Sequence, residues 1–528
     1  MKRLVVVVPG YRPAKRKWIA LLRRLEQDQD SETVCKWVDH RVGYVSRRPM
    51  SQLALELNAR IAQWVREADQ VDEVILLAHS LGGPIARSAY LMAAGAYGTP
   101  IDADSWAPRV SRLVLLASVN RGLEFEGLGI ILQPTAKFLL ATGLLRLLTL
   151  NDCIRGSTFM TDLRIRWIRH FSRLGDRAPV VTQLLGTGDR LVRREDSLDV
   201  EQFPNAHHKD VPGATHLDIY QLEGVENTED RLHLIREAVM GRAFPCEGKR
   251  SVASKSPVVF VLHGIRASNS GWVEQVRSRI QDREPRAEVI TASYGWFSAL
   301  DCAIPFLRRR NIRWFQDQYS YYFARYPESD FHFLGHSNGT YILGQSLASI
   351  PAMTFRRVLL VGSVLPQDYP WQDRLDDPPQ VEFVRNDRAN RDGPVALLVN
   401  GLRGLRFGMR DIGASGVNGF NFGDSRITEV FYYDGGHSAA LVESNLDDLV
   451  DFVLTGTGTD EKKRSLSNTD IDPTFRSLSN LAPTFARLLF VALIAGAWYV
   501  SPWALASPTS LGISVLTVLM VVALARSL

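Results

Sequence analysis

Residues Val74-Ile75-Leu76-Leu77-Ala78-His79-Ser80-Leu81-Gly82-Gly83 run from a continuous apolar stretch into a serine flanked by small residues. Asp330-Phe331-His332-Phe333-Leu334-Gly335-His336-Ser337-Asn338-Gly339 repeats the pattern as a full G-x-S-x-G. A serine on a sharp strand-to-helix turn needs small residues two before and two after it, because strand and helix pass closely there. Ala78 fills the first of those places in one copy and Gly335 in the other. The strained turn lifts the serine Oγ off the sheet edge at a helix N-terminus. The motif alone is common by chance. Its weight comes from its position after a buried strand and before a helix, twice in one chain.

Working outward, both halves share one grammar. Apolar runs at 4–8, 33–38, 73–78, 112–117 and 180–185 alternate with amphipathic stretches, and so do runs at 258–262, 288–292, 330–334, 357–361 and 381–385. Continuous Val/Leu/Ile runs mark strands buried on both faces, and strand–helix alternation predicts a mainly parallel sheet with helices on both sides. The fold class expected is α/β, in two tandem domains at 1–241 and 258–455. A linker at 242–257, with Pro245 and Gly248, separates them, and a polar linker at 456–486 follows.

Both halves resemble the α/β-hydrolase family, and His79-Ser80-Leu81-Gly82-Gly83-Pro84 resembles its lipase and esterase branch. The resemblance spans nearly everything but the linkers and the tail. It implies the chain order nucleophile, acid, histidine. In the first half Ser80 is followed by Asp189, which opens a D-x-x-V loop after a strand. His216 follows in Gly213-Ala214-Thr215-His216; His207 and His208 compete but sit on what reads as the preceding strand. In the second half His437 follows Ser337, in Asp434-Gly435-Gly436-His437. The acid there is Asp392, which repeats the D-x-x-V pattern, or Asp387, which directly follows a strand; Asp392 is preferred. The resemblance also places backbone oxyanion donors at Leu81 and Asn338, just after the nucleophiles, and at Tyr11 and Ile265, on loops after an early strand. Such donors are worth about 3–4 kcal/mol each in comparable enzymes. Pro9-Gly10 departs from the family's His-Gly at this loop, whereas His263-Gly264 matches it. The chemistry implied is acyl transfer to serine with no metal or organic cofactor. Thioesterase, amidase and acyltransferase chemistry would use the same groups, and a binding protein built on this fold is the rival from another class.

The first half carries an insertion at about 120–179, where the family often places a cap. It holds nine Lys/Arg against five Asp/Glu. An apolar lid with a basic rim suits an acyl substrate at an anionic membrane; a cap that merely buries its own apolar face is equally compatible. The second half inserts elsewhere, at 296–329 and 398–426. The first of these is aromatic and basic, fit to grip a ligand or partner or to pack on the first domain.

A net charge of +5 over 528 residues is too diffuse for nucleic-acid binding and suits an anionic surface better. Cys35, Cys153, Cys246 and Cys302 form no CxxC and read as reduced thiols. From Leu488 to Ala525 there is no charged residue, about twice what a helix needs to cross a bilayer. Pro502 and Pro508 break the run, Trp498, Tyr499 and Trp503 flank the break, and Arg487 and Arg526 bracket it. This reads as two transmembrane helices at 487–526, with both ends and the hydrolase domains on the cytoplasmic side. A buried hairpin or re-entrant loop is the alternative.

Overall fold

The computed structural model describes residues 2–11, 14–27, 32–40, 42, 46–68, 70–98, 100–102, 104–123, 149–197, 206–241, 244, 255–264, 271–291, 305–405, 411–457 and 472–504. They divide into two compact units. The first comprises Met1–Ala253 with Gln316–Pro327, and the second Ser254–Phe315 with Glu328–Leu528.

In the first unit the strands are β1 (Lys2–Val8), β2 (Glu32–Trp37), β3 (Glu73–His79), β4 (Val110–Leu116), β5 (Val180–Gly186) and β6 (Ala206–Val211). They form one sheet in the order β2-β1-β3-β4-β5-β6, parallel throughout. Helices α1 (Ile19–Glu26) and α5 (Thr228–Met240) cover one face; Leu21, Leu25, Ile235 and Val239 pack there on Val5, Val7, Ile75, Leu77 and Val114. Helices α2 (Met50–Glu67) and α3 (Gly82–Ala93) pack on each other, and α3 on β1 and β3. After β1 the chain moves to β2 on one side and then returns to β3 on the other. The C-terminal ends of β1 and β3 therefore border a topological switch point, where open α/β sheets bind ligands.

The second unit repeats this plan. Its strands are β7 (Val258–Leu262), β8 (Glu288–Ile290), β9 (Phe331–His336), β10 (Phe355–Val361), β11 (Val381–Ala389) and β12 (Ile427–Tyr433). They lie parallel in the order β8-β7-β9-β10-β11-β12, the same permutation as the first sheet. Helices α6 (Gly271–Arg283) and α9 (Leu446–Thr455) bury Val273, Val276, Ile280, Leu449 and Val453 on one face, and α8 (Asn338–Ser349) follows β9. Two parallel-sheet α/β units are thus present, as the sequence pattern predicts.

Of the insertion at 120–179, residues 124–148 lie outside the described residues. Its helix α4 (Thr158–Leu174) starts at Ser157, whose Oγ accepts the Met160 N–H at 3.2 Å. It buries Leu163, Ile165, Trp167, Ile168 and Phe171, stacks Trp167 on Phe171, and sets both rings at steep angles against Tyr90 of α3. This described part of the insertion buries its own apolar face. Helix α7 (Pro305–Arg325) lies in the aromatic, basic insertion of the second half, and from Gln316 onward it belongs to the first unit. There Asp317 takes a bidentate ion pair from Arg121 at 3.0 and 3.2 Å, and Arg164 donates to Ser320 at 2.6 Å.

The tail departs from expectation. Helix α10 (Pro473–Ala504) begins inside the stretch read as a polar linker. Its first turns dock on the second unit: Asn400 Nδ2 donates to the Ser479 carbonyl at 2.8 Å, and Phe475 packs against the cluster of Tyr341, Val395 and Ile412. Among the described residues no helix is long and apolar enough to cross a membrane. The second half of the expected hairpin, from residue 505, lies outside them.

Candidate active site

Ser80 caps the C-terminal end of β3 with a φ of +52°, a left-handed backbone forced on a non-glycine residue. The close passage is visible at Gly82, where a Cβ would lie 2.2 Å from the Val8 carbonyl oxygen. The turn is fixed by the Ser80 N–H, which donates to the Leu116 carbonyl at 3.0 Å. Ser337 repeats this on β9, with a φ of +54° and its N–H on the Val361 carbonyl at 3.0 Å.

Asp189 and His216 come from the loops after β5 and β6. The His216 Nδ1–H donates to Asp189 Oδ2 at 2.9 Å, and the Ser80 hydroxyl donates to His216 Nε2 at 2.8 Å. The other carboxylate oxygen of Asp189 accepts the N–H groups of Leu191 and Val192 at 2.8 and 3.0 Å. Burial pushes this carboxyl upward, but the hydrogen bond and charge of His216 and the two backbone donors outweigh it and hold the group below its ordinary value. The competing His207 and His208 lie on β6.

In the second unit the His437 Nδ1–H donates to Asp392 Oδ2 at 2.8 Å, and the Val395 N–H donates to Asp392 Oδ1 at 3.0 Å. Asp387 is engaged elsewhere. It forms a buried pair with Arg385 at 2.7 and 3.0 Å and accepts from the Tyr433 hydroxyl at 3.0 Å, while burial raises its carboxyl above the usual range. The aspartate on the histidine is therefore Asp392. Among the described residues no hydrogen bond joins Ser337 Oγ to His437. Gly362 lies directly under this imidazole, since a Cβ there would sit 2.9 Å from the His437 ring. The equivalent residue in the first unit, one past the carbonyl that holds the nucleophile's N–H, is Ala117 with a φ of +45°. A cavity of about 650 Å³ opens beside His437, lined by Tyr433, Gly435, Ala439, Val442 and Asn445.

The loop after β1 runs beside the serine; a Cβ on Gly10 would lie 2.9 Å from Ser80 Cβ. It is tethered by His40, whose Nε2–H donates to the Pro9 carbonyl at 2.7 Å while Nδ1 accepts the Val42 N–H at 3.2 Å. Tyr11 follows Gly10 on this loop. Leu81 and Asn338 stand at the first turn of α3 and α8, where N–H groups lack intrahelical acceptors. Gly264 is equally close to its serine, a Cβ there lying 2.7 Å from Ser337 Cβ, whereas Ile265 lies outside the described residues.

Two histidines that the sequence pattern does not single out as site components stand beside Ser80 and Ser337. His79 Nε2 lies 2.8 Å from the His216 carbonyl oxygen, and His336 Nε2 lies 3.2 Å from that of His437. Their recurrence at one place in both motifs was the available signal. For His40 the sequence offers none.

No protein-family model matches the sequence, and no curated protein matches it significantly. Among solved structures it is similar to a monoacylglycerol lipase from Paleococcus ferrophilus (14% identity, TM-score 0.30, 44% of this chain and 92% of that one). It is also similar to the peroxisomal alpha-beta-hydrolase Lpx1 of Saccharomyces cerevisiae (14%, 0.29, 45% and 75%). A third is a thermophilic esterase from Thermogutta terrifontis (15%, 0.31, 45% and 82%). Each of these likenesses takes in less than half of the chain.

Proposed function

We propose that this chain is a membrane-associated serine hydrolase of carboxylic esters with lipid or acyl character, working through Ser80, His216 and Asp189. One observation carries the reading: a serine on a strained turn shares a hydrogen bond with an imidazole whose other nitrogen is held by a buried carboxylate. His216 Nε2 takes the Ser80 proton as Oγ bonds to the ester carbonyl carbon. The oxyanion meets the N–H of Leu81 and that of Tyr11. His216 returns the proton to the departing alkoxide as the C–O bond breaks, and water then repeats the sequence on the acyl-enzyme. Asp189 keeps the proton on Nδ1 and stabilises the imidazolium.

Membrane association is supported by α10. The flank of the helix beside Phe475, Ser479 and Ala482 exposes Leu478, Leu481, Phe485 and Leu488 at 40–61%, and the uncharged run begins at the last of these. An outward apolar stripe continuous with such a run suits a bilayer interface.

A second reading applies to the second unit. The missing Ser337–His437 hydrogen bond favours a supporting or binding role there. A fluorophosphonate probe on full-length protein separates the readings. Labelling lost on Ser80→Ala but kept on Ser337→Ala supports a single working site, and no labelling at all overturns the hydrolase reading. A panel of p-nitrophenyl esters and phospholipids then defines the acyl preference. Replacing Leu481 and Phe485 by serine is expected to release protein from the membrane pellet; full retention rejects the role of the stripe.

A further inference from the structure

The base of a serine hydrolase must stand at a fixed height over its nucleophile, yet His216 and His437 lie in turns rather than in strands or helices. Each of these residues offers its backbone carbonyl to the same kind of donor, the imidazole immediately before the nucleophile. That donor is itself rigid. His79 ends β3 and is buried against Tyr220, at 4.8 Å between ring centroids, and the edge of Trp18 at 6.1 Å; Trp18 in turn stacks on Tyr220 at 4.1 Å. His336 ends β9 and meets the edge of Trp272 at 6.2 Å. One imidazole and one indole thus recur at the same place in two sheets of the same strand order. Burial, and then the neighbouring histidine, push both His79 and His336 down to about 3. Each therefore stays neutral near pH 7, with a single N–H to give.

We infer that His79 is a positioning residue whose Nε2–H anchors the main chain of His216 and so sets that imidazole over Ser80; His336 holds the main chain of His437 in the same way, without closing a bond to Ser337. For His79 this rests on the hydrolase reading of Ser80. Being buried and neutral, with its Nε2–H committed to the His216 carbonyl, His79 takes no proton in the reaction. It acts only through where it holds His216. Misplacing a catalytic group by about 1 Å costs up to about 100-fold in rate.

The test uses full-length His79→Phe, which keeps an aromatic ring against Trp18 and Tyr220 but removes the donor. It is paired with His79→Gln, whose amide can restore an N–H near the Nε2 position. His79→Phe is expected to slow fluorophosphonate labelling of Ser80 and ester kcat by about 10- to 100-fold with little change in KM, and His79→Gln to recover to within about threefold of wild type. Wild-type rates in His79→Phe overturn the inference. If that variant does not fold, a folded His79→Gln that labels more than about tenfold slower than wild type does so as well. Failure of wild type itself to label would instead strike the hydrolase reading. The crystal structure of His79→Phe then still decides, because His216 Nε2 remaining within hydrogen-bond reach of Ser80 Oγ would show that the anchor positions nothing.

Discussion

The two sheets carry the same strand order and the same strained serine, but only the first closes its hydrogen-bonded line from carboxylate to hydroxyl. In the second, His437 holds Asp392 as tightly as His216 holds Asp189, and the break lies on the serine side. The two sites also differ in the residue one past the carbonyl that holds the serine N–H, a glycine directly under His437 and an alanine at the matching place in the first unit. Duplicated architecture therefore comes with a site geometry that is not duplicated in full. In a close-packed interior a difference of one methyl group is felt by its neighbours, which makes this position the one to exchange.

The largest expected effect breaks the comparison outright. Ser80→Ala should reduce ester turnover on the order of 10,000-fold or more, and Ser337→Ala by less than about twofold. Steady-state hydrolysis by the two variants measures this, and the reverse order would make the second site the working one. Next is Asp387→Asn. It removes a partner of fully buried Arg385, so the second unit should lose about 3 kcal/mol in urea unfolding while hydrolysis at Ser80 is unchanged. A stability change below about 1 kcal/mol would show that Asp448, 2.8 Å from Arg385, suffices as its counter-ion.

A subtler change sharpens the comparison. Ala117→Gly gives the first site the floor of the second, and Ser80 labelling should slow by about tenfold. The melting temperature should scarcely move, since relief of about 1–2 kcal/mol of left-handed strain is offset by the roughly 0.5–1 kcal/mol entropy cost of glycine. Unchanged labelling would mean that residue 117 does not support His216.

The smallest contrast concerns acid. His79 and His336 lie near 3 when folded, against an ordinary value of 6.5. Between those limits the unfolded chain binds a proton that the folded chain refuses. Stability should therefore fall as pH drops from about 6.5 toward 3, by up to about 1.4 kcal/mol per pH unit for each histidine. The contribution of Asp189 is present above the ordinary carboxylate value and fades in the same direction. Calorimetry at pH 7, 5.5 and 4.5 should show both units weakening together; one unaffected transition would set the two cores apart.

Much of this was readable from the chain. Buried β-strands announce themselves as Val/Leu/Ile runs, so β1, β3, β7 and β9 were evident, and the small residues around Ser80 and Ser337 follow from the closeness of strand and helix. Asp189 was legible because it opens a loop directly after a strand. The choice between Asp387 and Asp392 was harder, because it depends on Arg385, a residue on the same strand whose pairing no local pattern reveals. The closing of one serine–histidine bond and not the other has no local signature, since it depends on where a loop far along the chain places its imidazole. The start of helix α10 has no clear signature in the sequence, because its docking face of Phe475, Ser479 and Ala482 is small and mixed rather than an apolar stripe.

The ion pair at Asp317 bears on how the polypeptide matures. All six strands of the first sheet leave the ribosome well before Gln316–Pro327, the twelve residues that complete that unit. Until they emerge, Arg121 and Arg164, which end up nearly enclosed, lack this aspartate. A fragment cut at residue 253 would be left in that same unfinished state, so expression of the first unit alone should yield a chaperone-dependent, protease-sensitive product unless the missing segment is supplied.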